Sequence, residues 1–191
     1  MSAPDRLSPF GPELVPGRHG AAGGTPVVLA ERRVDIVQVM GPEATVRDIA
    51  GLALPKPGRA EIIGDSMAVW IQPSGWLVIR PRGVEGALAK TLADASGVAV
   101  VDQSHGRALL RLSGIHARDV LAKGCRLDLH PRAFSAGSAA TTTIDHITVT
   151  IVQVDATPTY DLVLPANFAE AFLDWLRMSA AEFGYEIISP R

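Results

Sequence analysis

Residues 100–130, VVDQSHGRALLRLSGIHARDVLAKGCRLDLH, hold His105, His116 and His130, three of the five histidines, together with the single cysteine, Cys125. Asp102, Ser104, Asp119 and Asp128 share the stretch. Three chemistries could use such residues. In a hydrolase, Ser66 of the preceding Gly64-Asp65-Ser66 would attack, His105 would take its proton and Asp102 would orient the ring. In a thiol enzyme, Cys125 would work with His105 or His130, in the positive surroundings of Lys123 and Arg126. In a metalloprotein, His116, Asp119, His130 and His146 are the candidate ligands.

Each chemistry makes a demand that the spacing does not meet. A hydrolase nucleophile belongs at the end of a buried parallel strand, often in a G-x-S-x-G elbow. Here GDS falls between two strands of a hairpin-like run, about 36 residues before Asp102, and reads as a turn capped by Ser66. Cys125 directly follows Gly124, a helix-ending glycine, where a small residue tends to be buried. His-x-x-x-His and Cys-x-x-Cys spacings are lacking in the sequence, and a lone cysteine supports neither a disulfide within the chain nor a multi-cysteine zinc site. HGAAGG (19–24) precedes the first strand instead of following one, against the dinucleotide-binding arrangement. GALAKT (86–91) lacks the Gly-Lys pair of a phosphate loop. The sequence predicts no nucleotide site within this chain.

The elements that carry these residues repeat. VVLAERRVDIVQVMG alternates at Val34, Ile36 and Val39 as a strand does. Pro42 suits a helix start and Gly51 a stop, which predicts a helix over 42–51. AEIIG, MAVWIQ and WLVIRP read as strands, the last two joined by a turn at Pro73-Ser74-Gly75. GVEGALAKTLADAS places Leu88, Leu92 and Ala95 on one helical face. VAVVDQS and RALLRLSG are strands, and IHARDVLAKG is a short helix closed by Gly124. AATTTIDHITVTIVQV and TYDLVLP return to strand. NFAEAFLDWLRMSAAEFG reads as a helix capped by Asn167, ended by Gly184, with Phe168, Phe172, Trp175 and Leu176 facing the core. VQVMGPEATVRDIAGLALP lines up with LRLSGIHARDVLAKGCRLDLHP, so that Gly41 matches Gly114 and Gly51 matches Gly124 at an offset of 73. The expected fold class is α+β: two strand-helix-strand-strand-helix halves, residues 27–97 and 98–191, with antiparallel sheets in one compact domain. Residues 1–26, with five prolines and five glycines, are expected to form an extended or mobile arm.

A 191-residue chain with 47% hydrophobic and 20% charged residues is globular, and its net charge of −2 argues against nucleic acid. Mean hydropathy is +0.20, and 15 of 18 basic residues are arginine. The hydropathy points mildly to a surface shared with a partner; the arginine bias suits an interface but reads first as the codon usage of a GC-rich genome. No run approaches the roughly 20 apolar residues of a membrane helix, and MSAPDRLSPF lacks the apolar stretch of an export signal. The expected compartment is the cytoplasm.

The order Asp102-x-Ser104-His105, then a strand, then Ser113-Gly114 and the helix through Ala117 and Leu121, resembles the aminomethyltransferase family, the folate-binding fold of the glycine cleavage T-protein. The run VVDQSHGRALLRLSGIHARDVLAKGCRLDLHPRAFSAGSAATT is more similar still to the gamma subunit family of heterotetrameric sarcosine oxidase, and the resemblance extends over residues 34–187. It implies a structural or assembly subunit of a flavoenzyme that oxidises sarcosine (N-methylglycine) to glycine. The methyl carbon leaves as formaldehyde or passes to tetrahydrofolate, and oxygen yields hydrogen peroxide. FAD, FMN, NAD, tetrahydrofolate and zinc are then expected in the alpha, beta and delta subunits, with alpha the most direct partner and no cofactor in this chain. Asp102, Ser104, His105, Gly106, Arg107, Gly114 and Gly124 become structural motif residues. The loop of Cys125, Arg126, Leu127, Leu129, His130 and Arg132 becomes a candidate subunit contact. A stand-alone folate-dependent aminomethyltransferase is the alternative, and the Ser66, Asp102, His105 hydrolase a further one.

Overall fold

The computed structural model describes residues 7–42, 48–49, 52–94 and 97–190. After a 3-10 turn at Gly11–Glu13 come β1 (Gly17–His19), β2 (Val27–Glu31), β3 (Val34–Met40), β4 (Asp48–Ile49), β5 (Leu52–Ala53), β6 (Ala60–Ile63), β7 (Ser66–Gln72), β8 (Gly75–Pro81) and α1 (Ala87–Ala93). The second half supplies β9 (Ala99–Asp102), β10 (Arg107–Ser113), α2 (Ala117–Ala122), β11 (Ala139–Ile144), β12 (Ile147–Asp155), β13 (Thr159–Pro165), a 3-10 turn at Ala166–Phe168, α3 (Ala169–Ala180) and β14 (Tyr185–Ile188). One sheet runs β6-β7-β8-β3-β9 and the other β1-β14-β2-β10-β13-β12-β11. All pairings in the two sheets are antiparallel except that of β14 with β2.

Strand alternation separates three cores. Val37, Val39, Ala68 and Val78 meet Leu88 and Leu92 of α1 on the outer face of the five-stranded sheet. Its inner face, with Val34, Ile36, Met67, Leu77 and Ile79, packs on Leu109, Val152 and Val163 of the larger sheet. The far face of that sheet carries Leu110, Leu112, Ile151 and Leu162 against α2 and α3. The layers are therefore helix, sheet, sheet, helix, and the α+β class holds. The Asp145–His146 turn between β11 and β12 has φ of 44° and 68°, the left-handed pair that a two-residue hairpin needs.

The repeat is real, and its halves are interlocked. β3 and β10 span the same seven positions at the offset of 73. Yet β2, which leads into β3, pairs with β10, whereas β9, which leads into β10, pairs with β3. A division by sequence near residue 97 is thus not a division by sheet: each half lends its leading strand to the other.

Several local expectations need correction. Within 42–51, expected to be helical, Asp48–Ile49 pairs with Leu52–Ala53; residues 43–47 and 50–51 lie outside the described residues, as does Ala95 of the α1 face. Ile49 is β-branched where α2 has Ala122 at the matching position, which favours strand over helix there. The α3 cap is Phe168, with no side-chain hydrogen bond, and not Asn167, because Ala166–Phe168 first make a 3-10 turn. That turn carries Phe168 outward, where it is 46% exposed, while Phe172 and Leu176 are fully buried. The four-residue β14 follows Gly184 directly.

Residues 7–26 are not a mobile arm. Phe10 and Leu14 are buried in the core beneath α3, β1 pairs with β14, and His19 stacks on Tyr185 with ring centroids 5.2 Å apart. The Ala21 amide donates to the Ala181 carbonyl at 2.8 Å. Replacing Phe10 by Ala removes a fully buried ring and is expected to cost about 3–5 kcal/mol of unfolding free energy, measurable by urea denaturation; a loss below about 1 kcal/mol would mean the arm adds little to the core.

Candidate functional site

The Asp102-Gln103-Ser104-His105 segment is a clamp. The Asp102 carboxylate accepts the Ser104 amide at 2.9 Å, closing a side-chain turn. The buried Ser104 hydroxyl accepts the Ile36 amide at 3.0 Å and faces the Ile36 carbonyl at 3.4 Å. The Gln103 amide donates to the same carbonyl at 2.8 Å. The segment thus continues the β9–β3 ladder beyond the end of β9. His105 pairs with Glu85 at 3.0 Å on the surface. The Gly106 amide closes the turn on the Gln103 carbonyl. With Asp102 committed to Ser104 and His105 to Glu85, no hydrogen bond among the described residues joins either to Ser66, which begins β7. The hydrolase triad is not assembled.

Gly114 and Gly124 have steric roles. Gly114, at φ 115°, lies so close to the Pro26–Val27 backbone that an added Cβ would meet the Pro26 oxygen at 3.2 Å. At Gly124 a Cβ would come within 2.6 Å of the Trp175 ring. The Cys125–Arg132 loop splits in two. Leu129 is 4% exposed and belongs to the core, against which Cys125 and Leu127 also pack. The apolar part of the expected contact surface is therefore turned inward, since leaving two leucines in water beside an open core edge would cost more than burying them. Arg126, His130 and Arg132 stay exposed. Burial raises the Cys125 thiol above its ordinary pKa, the opposite of what activates a nucleophile.

Metal ligation finds no geometry either. His116 stacks on Phe183 and hydrogen-bonds Asp119 at 3.0 Å, while His146 sits in the β11–β12 turn. Among the described residues no three His, Cys, Asp or Glu side chains converge to hold a metal ion, and no helix is long and apolar enough to cross a membrane.

The sheets carry two conspicuous polar features. Asp161 (1% exposed) takes two hydrogen bonds of 2.7 Å from Arg111 directly opposite on the neighbouring strand. That contact raises the Arg111 pKa. The second feature is a cleft of about 280 Å³ where the exchanged strands cross between sheets. Glu31, Arg32 and Val34 line it from one crossing, and Ser104, His105 and Arg107 from the other. These are the same three positions of the repeat at the offset of 73, so the cleft lies on the axis relating the halves. Of these residues, sequence reasoning missed Glu31 and Arg32. The available signal is that Glu31 continues the Val27, Leu29 face of β2, an acid on an otherwise apolar stripe.

Comparison with known proteins is consistent along the chain. The model of the sarcosine oxidase, gamma subunit family matches residues 38–182. The sarcosine oxidase subunit gamma of Corynebacterium sp. (strain P-1) is 35% identical over 76% of this chain and 73% of its own length. The chain belongs to the sarcosine oxidase gamma subunit family. Its counterpart from Arthrobacter sp is 37% identical over 70% of this chain and 66% of its own. Among solved structures, a chain of heterotetrameric sarcosine oxidase from Corynebacterium sp. U-96, in complex with pyrrole 2-carboxylate, superposes with a TM-score of 0.77 at 27% identity, covering 86% of this chain and 88% of that one. The glycine cleavage system aminomethyltransferase T from Bartonella henselae shares the fold, with a TM-score of 0.60 at 18% identity over 81% of this chain and 46% of that one. In this chain the Asp102–Gly106 part of the motif makes the turn between sheets, while Gly114 and Gly124 leave room for the Pro26–Val27 backbone and the Trp175 ring.

Two outcomes check that account. Ser104→Ala leaves the buried Ile36 amide without its acceptor and is expected to cost about 1–3 kcal/mol of stability, read from the denaturation midpoint; an unchanged midpoint would remove the clamp. Cys125, half-buried and with its thiolate disfavoured, is expected to react with iodoacetamide at pH 8 at least about tenfold more slowly than free glutathione. The rate should still be climbing above the pH at which an ordinary thiol has ionised. A rate equal to that of glutathione would contradict it.

Proposed function

We propose that this chain is the gamma subunit of a heterotetrameric sarcosine oxidase, a structural and assembly component of a flavoenzyme converting sarcosine to glycine. The observation that supports this reading is the overlay on a chain of the Corynebacterium complex across 86% of this chain, together with the family match over 38–182. Alpha, beta and delta subunits are its partners, alpha most directly. FAD, FMN, NAD, tetrahydrofolate and zinc are assigned to those partners, and the complex to the cytoplasm. The activity yields hydrogen peroxide, with the methyl carbon released as formaldehyde or captured as methylene-tetrahydrofolate. The role given to this chain is to present a rigid double-sheet body. Arg126, His130 and Arg132 are the exposed donors of its candidate contact loop, and guanidinium groups are favoured anchors for carboxylates and carbonyls across interfaces.

Co-expression with the genes for the other three subunits, with a tag on this chain, tests the reading. A yellow four-component complex that forms peroxide from sarcosine is expected, whereas the chain expressed alone should be colourless. Combined Arg126→Ala and Arg132→Ala should reduce co-purification about tenfold or more while the circular dichroism of the isolated variant is unchanged. A tagged chain that recovers no partner, or that binds stoichiometric flavin alone, overturns the proposal; undiminished co-purification of the double variant removes the loop from the interface.

A further inference from the structure

The cleft between the crossing strands contains two opposite charges that do not meet. Glu31 is 4% exposed, and its Oε2 is buried without a hydrogen-bond partner. Arg107 lines the same cleft with its Nε likewise buried and unbonded, and burial lowers its pKa. Among the described residues no ion pair joins the two, although an accessible pair would gain from closing. Arg82 also lines the wall with a buried, unbonded Nε, but that side chain, like the other polar groups of the wall, is engaged elsewhere. Arg32 donates to Asp65 at 2.8 Å, His105 pairs with Glu85 at 3.0 Å, and the Ser104 hydroxyl bonds the Ile36 backbone. Leaving a buried carboxylate oxygen and a buried guanidinium Nε without partners is costly. The cost is relieved by a guest that brings a donor to one and an acceptor to the other.

The shape agrees with a small guest. The cleft holds about 280 Å³, near the lower end of ligand sites, which run about 300–1,000 Å³. Leu7, Pro9, Val34 and Leu109 supply apolar wall. An acid and a guanidinium in one small, partly apolar cleft match a compact zwitterion better than a simple anion, for which Glu31 would be repulsive. We propose that this cleft binds a small amino-acid-like zwitterion, its cationic nitrogen donating to Glu31 and its carboxylate accepting from Arg107.

Calorimetric titration of the full chain with glycine, alanine and proline, and separately with acetate and methylammonium, tests this. At least one zwitterion is expected to saturate one site per chain below about 10 mM, a free energy beyond roughly −3 kcal/mol, with each half-ligand at least about tenfold weaker. Glu31→Gln and Arg107→Gln should each weaken the zwitterion about tenfold, with circular dichroism reporting the fold; the ligand series on the unmodified chain stands even if a variant misfolds. Acetate binding as tightly as the zwitterions, no saturation by any of the three, or folded variants that bind like the unmodified chain would overturn the assignment. So would zwitterion binding by the free chain that disappears in the assembled complex, since a partner segment would then be the true occupant.

Discussion

The exchange of leading strands is the constraint from which the rest of this molecule follows. A strand in a buried sheet must have its amides and carbonyls paired on both sides. β3 obtains one side from β8 and the other from β9, and β10 obtains its own from β13 and β2. Each half therefore depends on four or five residues contributed by the other half. Separating the halves would strip a central strand in both sheets at once. The face-to-face core of Ile36, Leu77, Leu109 and Val163 forms between sheets already tied together at the crossings.

The polar residues that first suggest catalysis are consequences of this crossing. A chain that passes from one sheet to the other must turn sharply while its backbone is still buried. Ser104 meets that need by standing in for a backbone group opposite Ile36, and Asp102 holds the turn that aims it. The opposite crossing, at Arg32 and Arg33, is satisfied differently: the Arg32 amide reaches the Leu109 carbonyl and the Arg82 amide reaches the Arg33 carbonyl. Where the crossings face each other, side chains of both are forced into a shared, partly desolvated space. That is why acid, base and hydroxyl groups gather there without forming a relay.

How much of this could be read from letters depends on the kind of information involved. Periodicity reports which faces of a strand are buried, so β3, β7, β8, β10, β12 and β13 were legible, and so was the repeat with its offset of 73. Periodicity does not report which neighbour supplies the hydrogen bonds, and the exchange of β2 and β9 left no trace in it. The turn chemistry of Asp102 and Ser104 is local and could be read; the Ile36 partner lies 68 residues away and could not. β14 escaped notice because four residues after a glycine stop are too few to alternate convincingly. Phe10 was hidden by its surroundings: a proline- and glycine-rich composition describes the flexibility of an isolated segment, not the docking of one ring. Of the cleft, His105, Ser104 and Arg107 were visible as motif residues, whereas Glu31 needed the face of β2 to be known.

The parallel ladder between β14 and β2, which sets Tyr185 beside Val27 and Ile188 beside Ala30, has a kinetic meaning. Hairpins such as β7–β8 and β11–β12 close loops of a few residues and can form in microseconds. The β14–β2 ladder closes a loop of nearly the whole chain, and β1 can add only to the edge that β14 provides. High contact order of this kind slows folding. The meeting of these distant segments is therefore expected to come after the local hairpins of the sheets.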